Sequence, residues 1–112
     1  MNITSTGPKQ WLINDSADIS TAVILRALAV GYRHIINQIT LSAAGAGVIT
    51  IGEGLDNGTI QKIFLEIDVN ATSSFPLVLK RQIKLTNGKA LIIESSTSAV
   101  TTFVVEGETE TV

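Results

Sequence analysis

Apolar residues in this chain fall in short runs rich in Ile, Val and Leu. Gly, Asn and Ser separate the runs about every eight to twelve residues, the punctuation of an all-β sandwich or barrel. Residues 60–69 alternate most regularly. Ile63, Leu65, Ile67 and Val69 take one side, and Lys62, Glu66 and Asp68 take the other. Residues 32–42 place Ile35, Ile39 and Leu41 on one face, interrupted by Asn37. Leu77, Leu79, Ile83 and Leu85 again share a parity, broken by Arg81. Further strands are predicted over 20–28, 48–51, 89–94 and 100–106. Turn signals stand at Gly31, at the glycine-rich 43–47, at Asn57-Gly58 and at Asn87-Gly88.

One stretch admits a second reading. Asp15 or Ser16 can cap a helix, and Ala22, Leu25, Leu28 and Ala29 have helical spacing. The turn at Gly31 favours strand, because it pairs 20–28 with 32–42. The expectation is an all-β fold: a single, jelly-roll-like β-sandwich of about seven or eight strands with an extended N-terminal arm. The arm is residues 1–19, the sandwich 20–106, and 107–112 an acidic, loose tail. No repeat of solenoid or propeller period is evident.

Length and charge narrow the function. At 112 residues the chain is one domain with a modest core. It has no cysteine, so neither disulfides nor thiolate metal sites are available. That suits folding in a reducing cytoplasm and leaves oligomerisation as the route to sturdiness. Charged residues make up 16% of the chain against a usual ~25%, so apolar surface is covered by a partner or the outside is coated with Ser and Thr. A net charge of −2 leaves no footprint for nucleic acid. No apolar stretch approaches the ~20 residues of a membrane span. Residues 1–10 lack the basic-then-apolar order of a signal peptide.

Catalytic chemistry has little to work with. His34 is the sole histidine, so a Ser-His-Asp triad or a histidine–metal site would have to use it. It lies opposite Ile35 and Ile39 in its run and reads as a surface or interface side chain. Glu66 and Asp68, two apart, read as a solvated strand face rather than as a glycosidase pair. Glu53, Asp56 and Asn57 sit in a glycine-rich loop but lack EF-hand spacing. Gly52-x-Gly54 precedes no helix and lacks the lysine of a phosphate loop. The chain is therefore expected to be no enzyme and to need no cofactor or metal.

Aromatic residues are only 4% of the chain, which argues against the stacking platforms of a carbohydrate- or receptor-binding module. Trp11, with Leu12 and Ile13, is the apolar part of a polar arm. The cluster either folds back on its own sandwich or anchors on a neighbour, where aromatic residues dominate binding energy. Trp11, Leu12, Ile13, Tyr32 and His34 are the expected protein-contact residues.

Residues 20–54 also resemble a pattern in small virion proteins of tailed bacteriophages. A β run leads to Gly31-Tyr32-Arg33-His34, then to a strand ending in the small residues of 39–44. A glycine- and alanine-rich turn follows, with a strand that closes in Ile49-Thr50-Ile51-Gly52-Glu53-Gly54. Leu85-Thr86-Asn87-Gly88-Lys89-Ala90-Leu91 looks like that family's entry into its last strands. The likeness leaves out the first nineteen residues and the acidic end. It implies a β-sandwich or jelly-roll structural protein of the virion. The family includes capsid decoration or cement proteins, often homotrimers, that bind the major capsid protein and stabilise the head. By the same resemblance the chain is expected to be made in the host cytoplasm and to reside on the capsid surface; its charge and hydropathy already lead one to expect no nucleic-acid or membrane partner. A neck, tail or fibre-base adaptor of the same fold is one alternative, and a carbohydrate- or receptor-binding module is the other.

Overall fold

The computed structural model describes residues 2–4, 10–43, 47–69, 77–79, 82–96, 98 and 100–111. Among these residues ten strands follow in chain order: β1 (Asn2–Thr4), β2 (Gln10–Asp18), β3 (Val23–Arg26), β4 (Tyr32–Ala43), β5 (Gly47–Gly54), β6 (Ile60–Val69), β7 (Leu77–Leu79), β8 (Ile83–Lys84), β9 (Ala90–Ser95) and β10 (Val100–Thr111). No helix occurs among the described residues. The helical reading around residues 15–29 thus gives way to a short strand, Val23–Arg26, where β-branched Val23 and Ile24 pair with Ile93 and Ile92.

The pairing has one simple rule. β7 and β8 bond to different stretches of β4 and together fill one lane. With the three-residue β1 set aside, eight lanes remain in two antiparallel sheets, β2-β10-β4-β7/β8 and β3-β9-β5-β6. The first lane pairs with the last, the second with the one before it, the third with β7/β8, and the fourth, β5, with β6. The chain is one long hairpin rolled into a sandwich, which is a jelly roll. Its tip is the turn Leu55–Thr59, where Gly58 takes φ 83°, a value open to glycine after Asn57.

Ile13, Ile39, Leu41, Ile51, Ile93, Phe103 and Val105 meet between the sheets and are almost wholly buried. Each such side chain contributes about 1.5–3 kcal/mol on leaving water. Two β-bulges decide which residues join them. In β4, Asn37 is the extra residue between Ile36, opposite Gly107, and Gln38, opposite Glu106. It flips the parity, so His34 and Ile36 share the inner face with Ile39 and Leu41. Ile35 goes to the other face, where it is buried outside the main core cluster. In β6, Phe64 is the extra residue between Ile63 and Leu65. Leu65 and Ile67 pack on the core as expected, whereas Ile63 turns out and is 53% exposed. Ile63→Ser is accordingly expected to shift stability by no more than ~0.5 kcal/mol in urea denaturation.

Two expected boundaries move. Residues 10–19 form no arm. β2 lies between β1 and β10, and Trp11, Ile13 and Ile19 are in the core. The acidic end is no loose tail either. β10 runs to Thr111, paired with β4 as far as Tyr32. Its inner positions there, Gly107 and Thr109, are small because large side chains from other strands occupy the space.

Candidate functional site

The most elaborated polar arrangement lies inside the sandwich. His34 on β4 is 3% exposed. Its Nε2 is 2.8 Å from the Ala27 carbonyl oxygen, which can only accept, so Nε2 carries the proton. Nδ1, 2.8 Å from Thr109 Oγ1, is then the acceptor of the threonine hydroxyl. Thr109 Oγ1 in turn accepts from Trp11 Nε1–H at 3.1 Å. The chain Trp11 → Thr109 → His34 → Ala27 runs one way through β2, β10, β4 and the end of β3. The indole and imidazole meet edge to face at 87°, centroids 6.2 Å apart. The Arg26 guanidinium lies 5.3 Å from the centroid of the indole. Burial, reinforced by Arg26, holds the His34 pKa below its ordinary 6.5 despite the opposing bond to Ala27, so the ring is neutral at neutral pH.

Gly107 makes room for this arrangement. A Cβ there would lie 2.3 Å from the Ile35 carbonyl oxygen and 2.5 Å from two indole carbons of Trp11. The bulge at Asn37 sits beside the same point. An open groove of about 310 Å³ lies there, lined by Gln10, Trp11, Leu12, Asn37, Glu106 and Gly107. The Asn37 carboxamide oxygen accepts from Gln82 Nε2 at 3.3 Å.

A second feature is one end of the sandwich, where three turns are tied together. Leu28 N–H donates to Asp56 Oδ1 at 3.0 Å, joining the β3–β4 and β5–β6 turns. Gly31 N–H donates to Asn87 Oδ1 at 3.1 Å, and Gly88 N–H to the Tyr32 carbonyl at 2.9 Å, joining the β8–β9 turn. This end presents apolar surface: Val30 is 85% exposed, Tyr32 46% and Leu55 41%. Beside it Arg33 is paired with Glu110.

The expected contact residues therefore separate. Trp11, Ile13 and His34 are buried within the chain, and Leu12 is half-buried at the groove. Tyr32 alone of the five is exposed. Parity counted straight through Asn37 makes His34 a surface or interface side chain, whereas the bulge there turns it inward. Val30, Leu55 and Thr109 join these features only in the folded chain. Val30 beside the Gly31 turn was a legible signal, whereas Thr109 in an acidic run carried none. Glu53 is also buried, its carboxylate accepting from the Thr86 N–H and hydroxyl at 3.2 and 3.0 Å. Among the described residues no group of His, Asp and Glu is placed to hold a metal ion.

No protein-family model and no curated protein matches the sequence. Solved structures do share its architecture. A chain of the acidic stable capsid of Helicobacter pylori bacteriophage KHP30 superposes with a TM-score of 0.60 at 14% identity, covering 96% of this chain and 93% of that one. The fold is shared from end to end. A chain of the disulfide-linked pili of Bacillus endospore appendages superposes with a TM-score of 0.53 at 17% identity, over 100% and 97% of the two chains. A pentameric capsid protein from metagenomic phage sequences gives 0.47 at 18% identity, over 89% of this chain and 60% of that one.

Proposed function

We propose that the chain is a structural protein of a phage virion: a capsid decoration or cement protein that binds the major capsid protein as a homotrimer and stabilises the head. The observation that carries this reading is the full-length jelly roll shared with a chain of a phage capsid, a chain little longer than this one. The family resemblance of residues 20–54 supports it from sequence. Such a role needs a stiff domain and a surface for partners. The low charge of the chain suits apolar contacts. The shared fold of the pilus chain raises a fibre subunit as another role, but this chain has no cysteine with which to make disulfide links.

The contact surface in this reading is the end bearing Val30, Tyr32 and Leu55, since Trp11 and Ile13 are spent on the core. Particles assembled without the protein should lose resistance to heat and chelator. Unchanged resistance would remove the cement role and leave a neck, tail or fibre-base adaptor, which is present in few copies. The double variant Val30→Ser/Tyr32→Ala should lower capsid occupancy about tenfold or more, because aromatic anchors carry binding energy. Its stability should stay within ~0.5 kcal/mol of the parent for each exposed position. Full occupancy would place the contact elsewhere.

A further inference from the structure

The His34 chain joins the two sheets at the end where the apolar surface lies. Ala27, whose carbonyl accepts the ring proton, follows β3 in one sheet, while His34 and Thr109 belong to β4 and β10 in the other. Four residues separate Ala27 from Tyr32. That short turn holds Val30 and Gly31 and closes with a bond from Tyr32 N–H to the Ala29 carbonyl, 3.0 Å. The same turn is fastened to its neighbours by the Leu28 and Gly31 amides. His34 thus pins the base of the turn that presents Val30 and Tyr32.

The pin works only with a neutral ring. Taking up a proton makes Nδ1 a donor facing Thr109 Oγ1, an oxygen that already accepts from Trp11. The threonine hydroxyl proton then loses its acceptor, and a buried polar group without a partner costs free energy. The new charge is also buried beside a cation. Arg26, from β3, lies against the same indole and stays charged, since a guanidinium holds its proton even where burial lowers its pKa. The carboxylates nearby are committed elsewhere: Glu110 of β10 to Arg33 of β4, and Glu53 of β5 to Thr86. Glu108, also on β10, stands opposite Ile35, on the other face from the ring.

We propose that His34 is an acid-released latch on the β3–β4 turn, so that acidification loosens the surface carrying Val30 and Tyr32 before the rest of the sandwich opens. The latch is a property of the folded chain, whatever that chain is attached to. Its direction in pH follows from the depressed pKa. An unfolded chain protonates His34 near its ordinary 6.5, the folded chain only at lower pH. Stability is therefore complete above about pH 6.5, falls as pH drops below it, and levels off once the folded ring is itself protonated.

His34 is the only histidine, so its ring can be followed without ambiguity by nitrogen-15 NMR on the full chain. The expected result is an Nε2–H tautomer at neutral pH and a midpoint clearly below 6.5. Exchange of the Leu28, Gly31 and Tyr32 amides, corrected for intrinsic rates, should quicken several-fold as the ring titrates. In His34→Gln that pH dependence should vanish. A midpoint at or above 6.5, exchange indifferent to the ring's titration, or the same pH course in His34→Gln would each overturn the latch. Should His34→Gln fail to fold, the ring titration and amide exchange of the parent chain decide the matter.

Discussion

Replacing Trp11 by alanine is expected to destabilise the protein by about 3–5 kcal/mol, the range for deleting a large aromatic side chain from a core. The indole is 2% exposed. It belongs to the core cluster, donates to Thr109 and stands edge-on to His34. Its removal leaves a void and strips a donor from the polar chain at once. Domains of this kind have a total stability of about 5–15 kcal/mol, so the variant should be marginal at room temperature. Urea denaturation followed by far-ultraviolet circular dichroism measures the effect, since the variant lacks the tryptophan fluorophore. A loss under about 1 kcal/mol, with capsid attachment abolished, would return Trp11 to the role of an external anchor.

Gly107→Ala should cost about 1–3 kcal/mol or more, although it adds one methyl group. The added carbon falls 2.3 Å from a backbone oxygen of β4 and 2.5 Å from the indole. The backbone oxygen cannot rotate away, so β10 must shift from β4 where the Asn37 bulge already disturbs the pairing. Combined with Trp11→Ala, the two costs should fall short of their sum, because removing the indole relieves one of the two clashes. Additive costs would mean that the indole is not what Gly107 accommodates.

The strands whose one face meets the core could be read from the sequence. β6 has the expected bounds because apolar and polar residues alternate through it, and the Asn57-Gly58 turn marks its start. What could not be read were the bulges. A single extra residue reverses parity, and nothing in Ile35-Ile36-Asn37-Gln38 announces which residue will be extra. The error at His34 and the error at Ile63 have this one cause. The two ends failed for a different reason. In β2 the inner residues Trp11, Ile13 and Ala17 alternate with Leu12, Asn14 and Ser16, so the signal existed, though Asp15 weakened it. In β10 the inner residues Gly107 and Thr109 are too small to register as a hydrophobic face. They are small because Trp11 and His34 fill the space against them, a fact that depends on three strands far apart in sequence.

The candidate surface was legible only in part. Tyr32 stood out as an aromatic residue beside a turn. Leu55 joins it because rolling up one long hairpin brings the β3–β4, β5–β6 and β8–β9 turns to one end, which no local pattern shows. The polar chain through Thr109 and His34 likewise depends on pairing the last strand with the third lane.

The measurement that bears most directly on the proposed function is the amount of this chain in purified, washed phage particles from the source of the sequence, set against the major capsid protein by quantitative mass spectrometry. A cement protein is predicted to be present in numbers comparable to the shell subunit. Its absence from the particles would contradict a virion role altogether.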